Sequence, residues 1–163
     1  MKYNEDYIYS KDIDWFFVAN GKYVHVASAG GMIPDIINDR EKLRDIQREV
    51  FLAPDIYRDE QIIINEDIIR QRFAQSDNFE QCRELYLRSF MAMARKGFIS
   101  LDRTNFYNPN DNTYHIVCMP PNDKTIGIQD ITQLNLVDAD FLEVKNIKNN
   151  IKLLDNLSNV TKE

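Results

Sequence analysis

The sequence predicts an α+β protein: an N-terminal β-hairpin, about four helices, two further strands and a C-terminal helix. Three observations predict it. Apolar-rich runs at 13–19 and 22–27 flank the dipeptide Asn20-Gly21. Asn or Asp followed three residues later by Glu repeatedly opens stretches of helical period. Runs at 98–102 and 113–118 alternate in the manner of strands, on either side of an asparagine-rich loop. A single core becomes limiting only at roughly 250–300 residues, so the 163 residues form one domain. Within it, residues 12–60 are hairpin plus helix, 61–121 a helix-helix-hairpin segment, and 122–163 a C-terminal strand and helix extension.

Asn20-Gly21 readily takes the two positive φ values of a type I′ turn, which fixes the hairpin register. Residue 18 then faces 23, 17 faces 24, 16 faces 25 and 15 faces 26. Trp15, Phe17, Val24 and Val26 share the core face, while Asp14, Phe16, Val18, Tyr23 and His25 share the other, which is expected to be covered only in part. Pro34–Ile37 makes a helical turn. Asn38 with Glu41 reads as a capping box for a helix near 39–52, whose inward stripe is Leu43, Ile46 and Val50, and Pro54 stops it. Residues 61–64 read as a short strand, and Asn65 caps a helix near 66–75.

Asp77 with Glu80 caps the longest helix, about 78–96. Its expected inward side is Cys82, Tyr86, Ser89, Phe90 and Met93. Gln81, Glu84, Arg88 and Arg95 lie opposite, with Glu84 and Arg88 as an i,i+4 ion pair. Gly97 supplies the left-handed stop. After the strand pair comes Pro120-Pro121, a short strand at 125–128, and a helix over 141–156 capped by Asp140 and Glu143. Val144, Ile147, Ile151 and Leu154 give that helix a seam that docks on its own domain or joins a homodimer.

Twenty basic and 26 acidic side chains give a formal charge of −6. They are spread evenly, so there is no concentrated basic patch of the kind that neutralises phosphates. No apolar run approaches the ~18 residues that cross a bilayer, so the chain is not expected to be an integral membrane protein, and no membrane is expected among its partners. The first residues lack a signal-peptide core, an expectation of cytoplasmic location. Cys82 and Cys118 stand alone and are read as reduced, buried small groups. Two His and two Cys do not make a zinc pattern, and no metal or cofactor is expected. The oxygen-rich stretch 108–112 lacks the central Gly of a calcium loop, and Met119 stands where its bidentate Glu belongs. Enrichment in Ile, Asn and Lys is compatible with an AT-rich bacterial genome.

Asp14 and His25 are diagonal neighbours in the hairpin register. A carboxylate beside an imidazole fixes its tautomer and raises its basicity, which is what a general base needs. Ser28, Gly30 and Gly31 follow the second strand and precede a turn, where backbone N–H groups could cradle an anion. The order from 61 to 119, strand, helix, turn, longer helix, strand, loop, strand, resembles that of winged-helix domains. In that reading Gln81, Arg88 and Arg95 face a nucleic-acid groove and Arg103 touches phosphate. Residues 83–103 carry a local +3, although Glu80 and Glu84 share the helix surface with the arginines.

No catalytic, metal or nucleotide signature is complete. Eight Tyr, nine Phe and one Trp exceed what a small core needs, and Tyr3, Tyr7, Tyr9, Tyr57, Phe106 and Tyr107 fall in turns or strands. Tyrosines are enriched at interface cores. The expected function is therefore non-catalytic binding of another macromolecule, a protein in the first reading. The alternatives are a winged-helix-like regulator that binds nucleic acid and a small enzyme built on Asp14 and His25.

Overall fold

The computed structural model describes residues 1–108, 110–121, 136–139 and 150–152. Helix α1 (Glu5–Tyr9) opens the chain, with Asn4 Oδ1 accepting the Tyr7 N–H at 2.8 Å. Strands β1 (Asp14–Ala19) and β2 (Lys22–Ala27) follow. Asn20 and Gly21 take φ of 50° and 72°, the two positive values that a type I′ turn requires. Asp14 pairs with Ala27, Phe16 with His25 and Val18 with Tyr23, the register that the turn dictates.

Helix α2 (Arg40–Leu52) buries Leu43, Ile46 and Val50, as its period predicts. Its cap differs from expectation. Asp39 accepts the Lys42 N–H, while Asn38 is buried and bonds both the N–H and the carbonyl of Tyr3. A buried Asn is better satisfied by two backbone partners of an adjacent segment than by one helix amide. A single 3₁₀ turn at Asp59–Gln61 leads to β3 (Ile63–Ile64) and then α3 (Glu66–Arg72), capped by Asn65.

Helix α4 (Phe79–Arg95) starts at Asn78, with no side-chain cap from Asp77. It buries Leu87, Phe90, Met91 and Ala94, a stripe rotated from the one expected; Cys82, Tyr86 and Met93 are half-buried and Ser89 is exposed. Two apolar edges compete on this helix. The one carrying Leu87 and Met91 wins because it meets α3, β4 and β5 together. The Glu84–Arg88 pair is not among its ion pairs; Arg83 instead binds Glu66 of α3.

Strands β4 (Ile99–Arg103) and β5 (Thr113–Met119) complete the sheet centre, and Asn150–Lys152 forms β6. The sheet order is β1-β2-β4-β5-β3, with β6 also on β5. Neighbours are antiparallel except β2 and β4, which run parallel because the whole stretch from α2 to α4 crosses between them. β3 and β6 share the outer side of β5, at Cys118–Met119 and at Thr113–His115 respectively. Val18 of β1 bridges Asp138.

Of the helix expected over 141–156, only residues 150–152 are described, and they form strand β6. Ile151 sits opposite Tyr114 in β6 rather than on a helical seam, since the free edge of β5 offers an alternating Asn-Ile-Lys run ladder partners. The strand expected at 125–128 and the caps at Asp140 and Glu143 lie outside the described residues.

One face of the sheet buries Trp15, Phe17, Val24, Val26, Leu101 and Ile116, with Ile8, Ile33 and Leu43 over them. The other face is covered by α3 and α4 through Ile69, Leu87, Phe90 and Ala94. Phe16 and His25 belong to that second face and are fully buried, so it is covered more completely than the hairpin alone implied. No helix among the described residues is long and apolar enough to cross a membrane.

Candidate functional site

The first candidate is the Asp14–His25 pair, and the fold does bring it together. His25 Nε2 lies 2.7 Å from Asp14 Oδ1, and its Nδ1 lies 2.8 Å from Ser100 Oγ. Ser100 Oγ is also 3.3 Å from the Phe90 carbonyl. A carboxylate only accepts, so His25 Nε2 carries a hydrogen. The order Asp–His–Ser is that of a nucleophilic triad, but its accessibility is inverted. Ser100 has no exposed surface, His25 is 1% exposed, and the Asp14 side chain is 50% exposed. A nucleophile must meet its substrate, and Ser100 is sealed between the sheet and α4. What the trio does here is join β1, β2 and β4 by side-chain bonds. Ser100 had no signal in the sequence, because it meets His25 only through the parallel β2–β4 pairing.

The expected anion cradle at 28–31 is not available. The Ser28 N–H donates to the Ile13 carbonyl, the Gly30 N–H to Lys11 and the Gly31 N–H to Ser28, while the Ala29 N–H binds Asp12 Oδ1 at 2.9 Å. Ser28 Oγ accepts the Ile13 N–H. All four amides are already used, which leaves none to point at a ligand. A shallow apolar cleft lies elsewhere, between β1 and α2, lined by Phe16, Ile37, Leu43, Ile46 and Leu136.

Among the nucleic-acid candidates, Gln81 and Arg88 are exposed on α4. Arg95 is engaged by Asp59 at 2.9 Å and Asp55 at 3.4 Å. Arg103, expected on phosphate, is 2% exposed. Its Nη1 donates to the carbonyls of Asn108 at 3.0 Å and Asp111 at 3.3 Å, and its Nη2 to Ala29 at 2.9 Å and Phe106 at 3.0 Å. A guanidinium spreads donors over a plane, so one side chain can hold carbonyls from two separate segments.

A second buried constellation escaped the sequence reading. Tyr86 Oη donates to Asp102 Oδ2 at 2.5 Å and lies 3.2 Å from His115 Nε2, while His115 Nδ1 is 2.9 Å from Thr104 Oγ1. Arg72 lies 3.6 Å from Asp102 Oδ2. Burial pushes the Asp102 carboxyl up and, with Arg72, holds His115 down at about 4. Burial and Asp102 raise Tyr86, and burial pushes the Cys118 thiol up to about 12. The residues come from α3, α4, β4 and β5, so no local spacing could have announced them. Among the described residues no three His, Cys, Asp or Glu side chains converge as a metal site would need.

The third constellation is on the surface. β2 and β4 end side by side, with Ala27 opposite Asp102, so the 28–31 turn and the 104–112 loop emerge at the same end of the sheet. The Tyr9 carbonyl lies against Gly30, 3.0 Å from where a Cβ would stand, which brings the end of α1 to the same place. The exposed aromatics of these segments are Phe106 at 41% and Tyr107 at 85% on the loop, and Tyr7 at 41% and Tyr9 at 44% on α1. Tyr7 stacks on Tyr3 at 4.7 Å, and the Phe106 and Tyr107 rings meet at a tilt, 4.1 Å between centres. Tyr57, by contrast, is buried.

Fold and site together define the chain as an α+β protein with a six-stranded mixed sheet, at one end of which α1 and the 104–112 loop carry exposed aromatic residues. Comparison with protein-family models, with curated proteins and with solved structures finds no match.

Proposed function

We propose that this is a cytoplasmic macromolecule-binding protein without a catalytic centre, that its partner is a protein, and that the aromatic end of the sheet is the surface it uses. The observation that carries this reading is the buried Arg103, whose four bonds to carbonyls of the 28–31 and 104–112 segments tie the backbone of the loop that bears Phe106 and Tyr107 to the turn beside it before any partner arrives. Aromatic anchors on an ordered loop suit binding because little rotamer or loop freedom remains to be lost. The test is recovery of partners from native extract, with and without nuclease, by the wild type and by Tyr107→Ala with Tyr9→Ala. A stoichiometric protein that survives nuclease and is lost with the double variant supports the reading. Nuclease-sensitive recovery, or a partner retained by the variant, overturns it.

A second reading is favoured by one observation. The order α2, β3, α3, α4, β4, β5 with β5 between β3 and β4 is the arrangement expected of a winged-helix-like segment, with 104–112 as the wing. In it, Gln81 and Arg88 would meet nucleic acid. Glu80 and Glu84 on the same helix, and the engagement of Arg95 and Arg103, count against that partner. Binding of duplex DNA that weakens steeply with salt and fails in Arg88→Glu would favour it over the first reading.

A further inference from the structure

We propose that Arg72 is an acid-released bolt on the aromatic loop, held by the buried chain Asp102–Tyr86–His115–Thr104 and expelled when that chain takes up protons. The inference rests on the reading of the loop as the binding surface, to which it adds a means of regulation. Arg72 ends α3, and its guanidinium lies 5.2 Å from the Tyr86 ring centre and 4.9 Å from that of Phe106. It is thus a joint between the helical layer and the tip of the loop.

The hydrogens of the chain can be placed. Tyr86 has one, and at 2.5 Å it belongs to Asp102. The Tyr86 oxygen is then left to accept from His115 Nε2–H, which makes His115 Nδ1 the acceptor of the Thr104 hydroxyl. Asp102 also accepts the Arg103 N–H. In this state one carboxylate faces one guanidinium, and the imidazole is neutral.

The groups that act on His115 and Asp102 are Arg72 from α3, Tyr86 from α4 and Asp12 ahead of β1, and Cys118 on β5 acts on Tyr86. The Arg103 side chain lies on the other face of β4, against Tyr114, and Asn150 of β6, in register with His115, is an uncharged residue. Acid upsets the balance twice. A protonated Asp102 no longer offsets Arg72, and a protonated His115 adds a like charge in a poorly screened interior. Arg72 has the clearer path out, since its side chain is 20% exposed against 7% for Asp102. Its departure removes the stack from Phe106, while Arg103 keeps the frame of the loop. The Phe106-Tyr107 tip then keeps only the Arg103 bond to the Phe106 carbonyl, and the pre-arrangement of its rings is lost.

The test is ¹⁵N relaxation, with spectra of the arginine Nε–Hε groups, on the whole chain from about pH 7 to about pH 3.5, in wild type and Arg72→Gln. In the wild type, order parameters of residues 105–107 should fall from about 0.85 to below about 0.6. The fall should coincide with titration of the His115 ring and with loss of the ring-current shift of Arg72 Nε–Hε, while amides of β1, β2 and β4 persist. Arg72→Gln should show the mobile tip already at neutral pH, an arm that needs no acid. The proposal is overturned by a tip as ordered in Arg72→Gln as in wild type, by a tip that stays ordered through the His115 titration, or by loss of tip and sheet together. None of these outcomes bears on partner recovery, which tests the binding surface separately.

Discussion

Replacing Arg103 by Met keeps a side chain of similar reach and removes the guanidinium. Four backbone carbonyls, of Ala29, Phe106, Asn108 and Asp111, lose their donor. Hydrogen bonds from a charged donor contribute about 1.5–3 kcal/mol each, a gross total of about 6–12 kcal/mol. Two effects reduce it: the variant no longer desolvates a cation, which costs several kcal/mol, and loop carbonyls regain water. A net loss of about 3–5 kcal/mol is expected, in line with breaking a buried charged network. Trp15 is the sole tryptophan and is fully buried, so its fluorescence in urea reports the sheet core. With a slope of about 1–3 kcal/mol/M, the midpoint should move down by about 2 M. Arg103→Lys should recover less than half of the loss, because an ammonium cannot span the same carbonyls. A loss below about 1 kcal/mol in the Met variant would refute the claim that these four bonds hold the two segments together.

Further expectations concern the other constellations. His115 is held at about 4 in the fold against 6.5 ordinarily, so between these values the unfolded chain binds more protons and stability falls as pH drops. That gap corresponds to about 3 kcal/mol between pH 7 and 4. The raised Asp102 acts in the opposite sense in both proteins, so His115→Gln, compared with wild type by urea midpoints, should show the flatter pH profile. Ser100→Ala should cost about 1–3 kcal/mol by stranding buried partners, whereas Asp14→Asn, half-exposed, should cost under about 1 kcal/mol; equal costs would contradict the inverted burial of the trio. Gly31→Ala puts a Cβ 2.7 Å from Arg103 Cδ and 2.9 Å from the Ser28 carbonyl, and thermal melts should show about 1–3 kcal/mol of destabilisation. Tyr107→Ala should leave the melt within about 0.5 kcal/mol yet weaken partner binding by about 2 kcal/mol or more in titration calorimetry.

The sequence by itself determined what depends on neighbours in the chain. Asn20-Gly21 fixed the hairpin register, and with it the Asp14–His25 contact. The apolar period of α2 identified its three buried residues, and the alternation around 99–103 and 113–119 located two strands. Where two local patterns were nearly equivalent, tertiary contact chose between them: which edge of α4 turns inward, whether Asn38 or Asp39 caps α2, and whether 150–152 continue a helix or join β5. Only the fold could place Ser100 beside His25, gather Tyr86, Asp102 and His115 from three elements, or turn Arg103 inward, because a side chain's partners across a parallel crossover leave no mark at fixed spacing. The aromatic end lies between these cases. Its tyrosines were visible as surplus over the needs of a core, but only the pairing of β2 with β4, together with the contact of the Tyr9 carbonyl with Gly30, brings the segments that carry them to one end of the sheet. Composition says what a chain has available to bind with, and long-range pairing decides where those groups stand.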